Sequence, residues 1–370
     1  MNIIVAPDKF KGSLSADEVA RAISAGIQAA LPGATVVVLP IADGGDGTLS
    51  AFQRLGYDIG YVECSDALGR AHRARYGHRG RRAVIELAEV CGLANLSTSE
   101  RAPRAATSFG LGQALSTVIA RGATDVVIGL GGSASTDGGA GFLAGLGAQL
   151  RDAAGFEIAP GLEGLSQVST CDLTGALSRL NGVRVRVASD VTNPLIGPSG
   201  AASVYGPQKG LDPREAIEAD ELLGRWADVL ARAAGHDNRN RPGAGAAGGV
   251  GVACLALGVD LESGIELLLE SLGVEELLRG ASLVITGEGS LDLQTLQGKG
   301  PFGVVQLAAA TDIPVVAICG RNLLTAEQSR SAGFAHVLSL LELEPDLDRC
   351  LTDPAPLLRQ LGAHATSFRK

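Results

Sequence analysis

Short runs of apolar, often β-branched residues recur along the chain, and most of them lead directly into a glycine-rich stretch. Such runs occupy residues 2–5, 125–130, 282–286 and 314–318. Bounded runs of this length predict buried strands, because a core helix would need a longer apolar pattern. Segments of crossover length separate these runs from each other and from a strictly alternating strand at 183–188. We therefore expect a three-layer α/β domain around a largely parallel sheet.

Helices are predicted between the strands from apolar residues at helical spacing. Ser15 and Glu18 form a capping box before one such helix, and a second predicted helix, residues 107–121, stops at Gly122. Residues 57–93 differ, because short alternating runs are separated there by turns. This pattern predicts antiparallel strands and a second α/β domain.

Composition and charge narrow the class of protein. The chain has 370 residues, 46% of them hydrophobic and 19% charged, which is a soluble globular balance with room for two domains. No apolar run approaches the roughly 18 residues of a membrane span. The start MNIIVAPDKF lacks the features of a signal peptide, so we expect a cytoplasmic protein. The net charge of −9 argues against nucleic acid or an acidic membrane as a partner.

Cysteine and histidine are scattered along the chain. The six cysteines include no C-x-x-C pair, which favours reduced structural thiols over a disulfide frame or a zinc site. None of the five histidines lies beside a glycine loop or at a metal-ligand spacing. Chemistry driven by histidine or cysteine is therefore not expected.

The stretch 129–141, GLGGSASTDGGAG, holds six glycines in thirteen residues between a strand and a helical pattern. Such a turn directs backbone N–H groups at one point and adds the positive end of a helix dipole, which favours phosphate. The alternative is tight strand-to-helix packing with no ligand. The candidate phosphate contacts are Gly131, Gly132, Ser133, Ser135, Thr136, Gly138 and Gly139.

Part of the same loop also fits a dinucleotide fingerprint. Gly129, Gly131 and Ala134 match G-x-G-x-x-A, and Asp152 follows at roughly the distance of a ribose-binding acid. A nicotinamide-dependent oxidoreductase is therefore one alternative function.

Lysine usage gives a stronger signal. Of the 31 basic residues only five are lysines, and four of these lie within three residues of a glycine: Lys9, Lys11, Lys209 and Lys299. Lysine presents a compact charge on a flexible stem and suits point contacts to phosphate oxygens, whereas arginine has a planar fork. The alternative is the chance survival of four lysines in a glycine-rich chain.

Three acidic residues lie where chemistry is expected. Asp43 and Asp46 flank Gly44-Gly45, and two carboxylates on one flexible loop suit Mg²⁺, although a turn stabilised by aspartate would look the same. Asp190 ends the alternating strand and precedes Asn-Pro. A rigidly held acid at a strand tip is a candidate general base. Alternatively, Asp190 caps the turn at 192–193.

Seven motifs, taken in order, resemble the glycerate kinase type I family over nearly the whole chain, with Tyr205 a mild departure where phenylalanine is expected. They are APDKFKGSLSA (6–16), PIADGGDGT (40–48), GLGGSASTDGGAGF (129–142), SDVTNPLIGPSGA (189–201), VYGPQKG (204–210), RPGAGAAGGVG (241–251) and ITGEGSLDLQTLQGKGPFGV (285–304).

The resemblance implies ATP-dependent phosphorylation of D-glycerate to 2-phosphoglycerate. It also implies two α/β domains, each built from discontinuous chain, with the active site in the cleft between them. Combined with the strand pattern, it predicts a Rossmann-like domain at 1–55, 111–197 and 280–370, and a smaller mixed domain at 56–110 and 198–279.

Roles follow for the motif residues, with ATP and Mg²⁺ as the implied cofactors. Catalysis is expected from Asp190, Lys9, Lys11 and Lys299. ATP phosphates are expected at the glycine-loop residues given above and at Lys209, Gly287 and Ser290. Glycerate is expected at Asp8, Lys11, Asp43, Asp190 and Asn193, and Mg²⁺ at Asp43, Asp46 and Glu288.

Some alternatives stay open at the level of sequence. The oxidoreductase alternative uses only residues 129–134 and leaves the lysine loops unexplained. A non-catalytic sensor of small acids would need no metal carboxylates. The cation that binds the glycerate carboxylate is either an arginine or one of Lys9 and Lys11.

Overall fold

A computed structural model describes most of the chain, and contacts divide it into two compact units. The described residues are 1–39, 41, 49, 52–53, 56–264, 267, 270, 277–297, 300–309 and 311–370. Unit A comprises Met1–Asp43 and Ile265–Lys370, and unit B comprises Gly44–Gly264. Three predicted site residues, Asp43, Asp46 and Lys299, lie outside the described residues.

The strands of the described residues fall into two main sheets and two short ribbons. They are β1 (Asn2–Pro7), β2 (Thr35–Val38), β3 (Asp58–Ser65), β4 (Ala71–Arg79), β5 (Arg82–Glu86), β6 (Asp125–Gly129), β7 (Gln149–Arg151), β8 (Thr170–Asp172), β9 (Arg184–Ala188), β10 (Leu261–Glu262), β11 (Ala281–Gly287), β12 (Ser290–Leu291), β13 (Val315–Cys319), β14 (Arg321–Asn322) and β15 (His336–Ser339).

The helices of the described residues connect these strands. They are α1 (Ala16–Ala30), α2 (Leu87–Cys91), α3 (Phe109–Ala120), α4 (Ala140–Leu146), α5 (Gly161–Gly164), α6 (Thr174–Leu180), α7 (Ala201–Lys209), α8 (Pro213–Ala234), α9 (Ala246–Ala256), α10 (Gly300–Ala308), α11 (Ala326–Ser331), α12 (Leu340–Leu343), α13 (Leu347–Thr352) and α14 (Ala355–Ala365). Short 3₁₀ turns occupy Leu93–Asn95, Thr98–Glu100, Thr295–Gln297 and Thr366–Phe368.

Unit A is a three-layer structure around a parallel sheet of order β2-β1-β11-β13-β15. Successive residues of β1 point to opposite faces, as the two-residue period of a strand requires. Ile3 and Val5 pack in the cluster that includes α1 and α14, whereas Ile4 and Ala6 pack in the cluster that includes α10. Burial of both faces explains why this strand is a continuous apolar run.

Unit B contains a mixed sheet of order β10-β9-β6-β5-β4-β3. Strands β10, β9, β6 and β5 run parallel, and β4 and β3 are antiparallel to their neighbours. Helices α3, α4, α8 and α9 supply much of its core, in which the side chain of Trp226 is fully buried. The expected antiparallel strands in residues 57–93 are confirmed.

The general fold prediction is confirmed, because both units are α/β and one contains a parallel sheet. The capping box of Ser15 and Glu18 also forms and begins α1. In the described residues, no helix has both the length and the apolar character needed to cross a membrane.

The predicted sheet membership of two strands is wrong. The strands expected at 125–130 and 183–188 are β6 and β9, which pair with each other and with β5 rather than with β1, β11 or β13. A crossover-length segment indicates a parallel neighbour but does not tell which sheet supplies it. Here β5 leads through α3 to β6 within unit B, so that residues 111–197 join the same unit as 56–110.

Candidate active site

Unit A contains a cavity of about 630 Å³ at the carboxyl ends of its central strands. The strand order reverses between β1 and β11, and ligands bind outside the carboxyl ends of strands at such a switch point. Phe10 and leucines of α12 and α13 form one wall of the cavity. Its charged lining residues are Asp8, Lys9, Lys11, Glu288, Asp292 and Arg321.

The turn after β1 is fixed by backbone hydrogen bonds. The backbone N–H of Asp8 donates to the carbonyl of Gly287 over 2.8 Å, and the N–H of Lys9 donates to Asp8 Oδ1 over 2.6 Å. Lys9 and Lys11 are exposed, so both ammonium groups can reach a ligand. The structure therefore brings together two of the four predicted lysines.

Gly287 permits close packing of two strands. A Cβ on this residue would lie 1.7 Å from the carbonyl oxygen of Ile318, so that only glycine fits. Gly287 itself is buried. The structure thus gives Gly287 a packing role, whereas Ser290, three residues later, lines the cavity.

Glu288 presents a fixed carboxylate at the same cavity. The side chain is 9% exposed, and its Oε1 accepts a hydrogen bond of 2.6 Å from the hydroxyl of Thr295. The Thr295 hydroxyl in turn accepts from the backbone N–H of Asp292 over 3.0 Å. Glu288 is therefore held in place by a chain of hydrogen bonds within the GEGSLDLQT motif.

The carboxylates of this cavity are compatible with Mg²⁺. No group of three or more histidine, cysteine or acidic side chains in the described residues is arranged to hold a metal ion. Mg²⁺ needs fewer protein ligands, since it usually takes one or two carboxylates, substrate phosphates and several waters. Asp8 and Glu288 both line the cavity and satisfy that smaller requirement.

Unit B contains a second cavity, of about 600 Å³, at the first part of the glycine loop. Gly131, Gly132 and Ser133 line it together with Lys209, and Leu93, Leu96 and Val191 provide apolar surface. Arg101, Tyr205 and Gln208 are further polar residues of its lining. Four of the predicted phosphate contacts therefore lie around one cavity.

Lys209 is an unusual lysine, because its side chain is only 2% exposed. Its Nζ donates a hydrogen bond to the carbonyl of Ser135. Burial lowers the pKa of Lys209 to about 8, and the nearby carboxylate of Asp137 partly opposes that shift. Gly248 makes room for the contact, since a Cβ there would lie 2.0 Å from the Ser135 carbonyl oxygen and 2.8 Å from Nζ.

The second half of the glycine loop packs into the protein. Ser135 and Thr136 are fully buried. Gly138 and Gly139 adopt left-handed φ values of 62° and 71°, and a Cβ on Gly138 would lie 2.4 Å from Cδ1 of Trp226. The Trp226 indole donates to the Gly138 carbonyl over 2.8 Å. These four predicted phosphate contacts support the loop, whereas residues 131–133 face the cavity.

Asp137 organises this loop and was missed by the sequence analysis. Its carboxylate is fully buried and accepts hydrogen bonds from the backbone N–H groups of Ser108, Gly139 and Gly141, over 2.7 to 3.2 Å. The hydroxyls of Thr107 and Ser108 also donate to it. In the sequence, the feature that could have pointed to Asp137 is that it is the one charged residue of the loop 129–141.

Asp190 is exposed after the end of β9, as predicted. Its Oδ1 accepts hydrogen bonds from the hydroxyl of Ser263 over 3.1 Å and from the backbone N–H of Gly264 over 3.0 Å. These contacts fix the carboxylate against residues 263–264.

Asn193 organises the loop that follows Asp190. Its Nδ2 donates to the carbonyl of Ser199 over 2.7 Å, and its Oδ1 accepts from the hydroxyl of Tyr205 over 2.8 Å. Burial raises the pKa of Tyr205, so the phenol remains a proton donor at neutral pH. The tyrosine that departs from the resemblance thus gains a hydrogen bond that phenylalanine could not make.

Asp152, the acidic residue of the dinucleotide fingerprint, does not lie where such a fingerprint requires it. Asp152 lies after β7, which pairs antiparallel with β8 in a separate ribbon. Its Oδ1 accepts from the backbone N–H groups of Ala154 and Phe156, each over 2.9 Å. This carboxylate closes a turn and does not end the strand next to β6, where a ribose-binding acid is expected.

Comparisons with known proteins agree with the motifs. A family model described as the Glycerate kinase family matches residues 3–369. A protein named glycerate kinase from Bacillus subtilis is 44% identical over 86% of this chain and 85% of its own length. One named glycerate 2-kinase from Escherichia coli is 42% identical, with the same two shares covered.

A solved structure is similar over the whole chain. It is the crystal structure of a protein from Salmonella typhimurium LT2 that is provisionally named glycerate kinase 2. The two chains are 39% identical, with a TM-score of 0.82 and coverage of 99% of this chain and 98% of the other.

Proposed function

Because this chain belongs to the glycerate kinase family, we propose that it transfers the γ-phosphoryl group of ATP to the 2-hydroxyl of D-glycerate. The products are 2-phosphoglycerate and ADP, and the reaction takes place in the cytoplasm, where ATP is supplied. The observation that carries the proposal is the family match over residues 3–369, which includes every loop that lines the two cavities.

The reaction requires little covalent chemistry from the protein. The 2-hydroxyl oxygen forms a bond to the γ-phosphorus, and the bond from that phosphorus to the bridging oxygen breaks. ADP leaves with the electron pair, and the hydroxyl proton passes to a carboxylate. Enzymes of this class act chiefly by positioning the reactants and stabilising charge on the phosphoryl oxygens.

We assign charge stabilisation to Lys9 and Lys11 in unit A. Their ammonium groups are exposed at a cavity on the switch point of a parallel sheet. Lys299 is proposed for the same role from its GKG motif alone. Mg²⁺ would be held by Glu288, with Asp43 and Asp46 as the further carboxylates. When bound, the ion would neutralise charge on the β- and γ-phosphates.

We assign nucleotide phosphates to the unit B cavity, where backbone N–H groups of Gly131–Ser133 accompany Lys209. The proposed contacts of glycerate remain Asp8, Lys11, Asp43, Asp190 and Asn193. Asp190 is proposed as the base, because its Oδ1 is fixed by two donors while the side chain stays exposed.

The test is ADP release from ATP and Mg²⁺ with D-glycerate, measured beside glycerol as an acceptor without a carboxylate. We expect D-glycerate to stimulate ADP release strongly and glycerol to have little effect. The two alternatives predict other results. An oxidoreductase would bind NADH, as seen by fluorescence, and would not bind ATP. A sensor would bind D-glycerate without consuming ATP.

A further inference from the structure

Arg101 lies beside Lys209 in the lining of the unit B cavity, yet the sequence pattern gave it no role. It follows the 3₁₀ turn Thr98–Glu100, which Ser97 and Glu100 close with a capping box. Its Nη1 donates to the carbonyl of Gln208 over 3.2 Å. The position of this arginine is thus tied to the end of the helix that carries Lys209.

Gly210 lies next to Arg101 and adopts a left-handed backbone. A Cβ on Gly210 would be in ordinary contact with Cβ of Arg101, at 3.6 Å, and the φ of 108° is a left-handed value that favours glycine. This residue also ends α7 directly after Lys209. The left-handed turn at Gly210 therefore ends the helix of Lys209 next to Arg101.

The charge in this lining is positive only. Among its described residues, Arg101 and Lys209 carry charge and no carboxylate is present. Other arginines of unit B, such as Arg70 and Arg75, pair with glutamates. Arg101 makes no ion pair with any residue that the structure describes, so among those residues its remaining donors have no anionic partner.

Lys209 is likewise only partly satisfied. An ammonium has three donors, and the described residues provide one acceptor, the Ser135 carbonyl. The carboxylate of Asp137, which offsets the buried charge, is itself fully buried and bound by loop residues. A buried cation with spare donors at a cavity is the arrangement that an oxyanion completes.

The segment at residues 247–248, which lines the cavity next to Lys209, is conformationally constrained. Ala247 has a positive φ of 52° and is the one non-glycine residue with such a value in the described part of the chain. Its carbonyl accepts a hydrogen bond of 3.2 Å from the hydroxyl of Ser133. Residues in this region are disfavoured by sterics and persist where the surroundings require them, often at ligand sites.

We propose that Arg101 and Lys209 together form an oxyanion site in unit B that binds a charged group of a substrate. The two anions available are a phosphate of ATP and the carboxylate of glycerate, and naming them rests on the proposed function. Arg101 supplies the planar fork and Lys209 the point charge.

The test compares Arg101→Ala and Arg101→Lys with wild type. Arg225→Ala is the matched control, since Arg225 is exposed on α8 and lies outside the lining. The readouts are KM for ATP, KM for D-glycerate, kcat and melting temperature. We expect Arg101→Ala to raise one KM by about tenfold to 100-fold, the usual range for a lost charge-assisted hydrogen bond.

The KM that rises identifies the anion, and Arg101→Lys should recover only part of the loss because it lacks the fork. A rise in neither KM, with Arg225→Ala equal to wild type, would overturn the proposal. A fall in melting temperature with both KM values unchanged would overturn it too, because it would make Arg101 a packing residue.

A binding measurement separates this proposal from the proposed function. Tripolyphosphate and D-glycerate are titrated separately into wild type, Arg101→Ala and Lys209→Met by calorimetry. If wild type binds either anion and both variants bind it more weakly, the proposed oxyanion site is supported even if the protein has no kinase activity. If wild type forms ADP but all three proteins bind both anions equally, the site fails while the function stands.

Discussion

The two cavities have similar volumes, about 630 and 600 Å³, but different charge patterns. The lining of the unit A cavity mixes carboxylates with cations, and both of its lysines are exposed. The lining of the unit B cavity, as far as it is described, contains cations only, and one of them is buried.

This difference separates two kinds of chemistry. Mixed charge can hold a metal ion and stabilise a group during transfer, because cation and carboxylate act on different atoms of the substrate. A lining with cations alone binds an anion but offers no carboxylate for a metal or a proton. We therefore expect substitutions in the unit A cavity to lower kcat and those in the unit B cavity to raise KM.

The largest effect is expected at the exposed lysines of unit A. Lys9→Ala and Lys11→Ala should each lower kcat by about 10²- to 10³-fold, the usual cost of one donor to a developing oxyanion. Melting temperatures should change little, because an exposed lysine makes few packing contacts. Lys370→Ala is the control, since Lys370 is also an exposed lysine of unit A. Wild-type kcat in both variants would remove the lysines from the mechanism.

Asp137→Asn should give the next largest effect, on stability rather than on kcat. The buried carboxylate accepts hydrogen bonds from three backbone N–H groups, and an amide places an N–H₂ donor among these donors. It also leaves the Lys209 ammonium without its nearby buried anion. The free energy of unfolding should fall by about 3 kcal/mol, measured by urea denaturation. Asp152→Asn, in a turn, is the comparison, and equal stability of the two variants would contradict the anchoring role.

Asp190→Asn tests the one proposed base. If the carboxylate takes the hydroxyl proton, kcat should fall by about 10²-fold while ATP still binds. If its hydrogen bonds to residues 263–264 are its whole function, the melting temperature should fall and kcat should stay near normal. Ser263→Ala removes one of those hydrogen bonds and leaves the carboxylate in place. Its melting temperature therefore shows how much stability this hydrogen bond contributes.

The smallest effect is a pH dependence of anion binding in unit B. Lys209 has a pKa of about 8, lowered by burial from 10.5, so its ammonium form predominates below pH 8 and is lost above it. The titratable groups that interact with Lys209 are Asp137 and Cys91, and the Cys91 thiol is neutral because burial raises its pKa. Affinity for tripolyphosphate should fall above pH 8, by up to tenfold per pH unit.

Stability should change in the opposite direction over the same range. Between pH 8 and 10.5 the unfolded chain keeps a proton on Lys209 that the folded protein has lost. The unfolded state then binds more protons, so this residue raises the free energy of unfolding as pH rises. Lys209→Met should abolish both pH dependences, that of tripolyphosphate affinity and that of the free energy of unfolding. Equal pH dependences in wild type and Lys209→Met would contradict the assignment of these effects to Lys209.

Local chemistry explains which parts of this molecule could be predicted from sequence. Strand β1 and the capping box of Ser15 depend on neighbouring residues, and both are confirmed. The shared cavity of Lys9 and Glu288 was also predictable, because both follow strands of a parallel sheet whose carboxyl ends meet at one edge.

What could not be predicted depends on contacts between distant segments. The sheet that β6 and β9 join is set by pairing with β5, which no local pattern encodes. The roles of Arg101 and Asp137 likewise depend on residues that the fold brings to them, such as Gln208 and Ser108. The glycine loop illustrates both cases, since its first half faces a cavity and its second half supports Trp226.

The most direct test of the account is the identity of the product. Purified protein is incubated with ATP, Mg²⁺ and D-glycerate, and enolase without phosphoglycerate mutase is added to convert only 2-phosphoglycerate to phosphoenolpyruvate. The account predicts phosphoenolpyruvate in proportion to the ADP formed. ADP with no phosphoenolpyruvate, or no ADP at all, would contradict the central claim that this protein phosphorylates the 2-hydroxyl of D-glycerate.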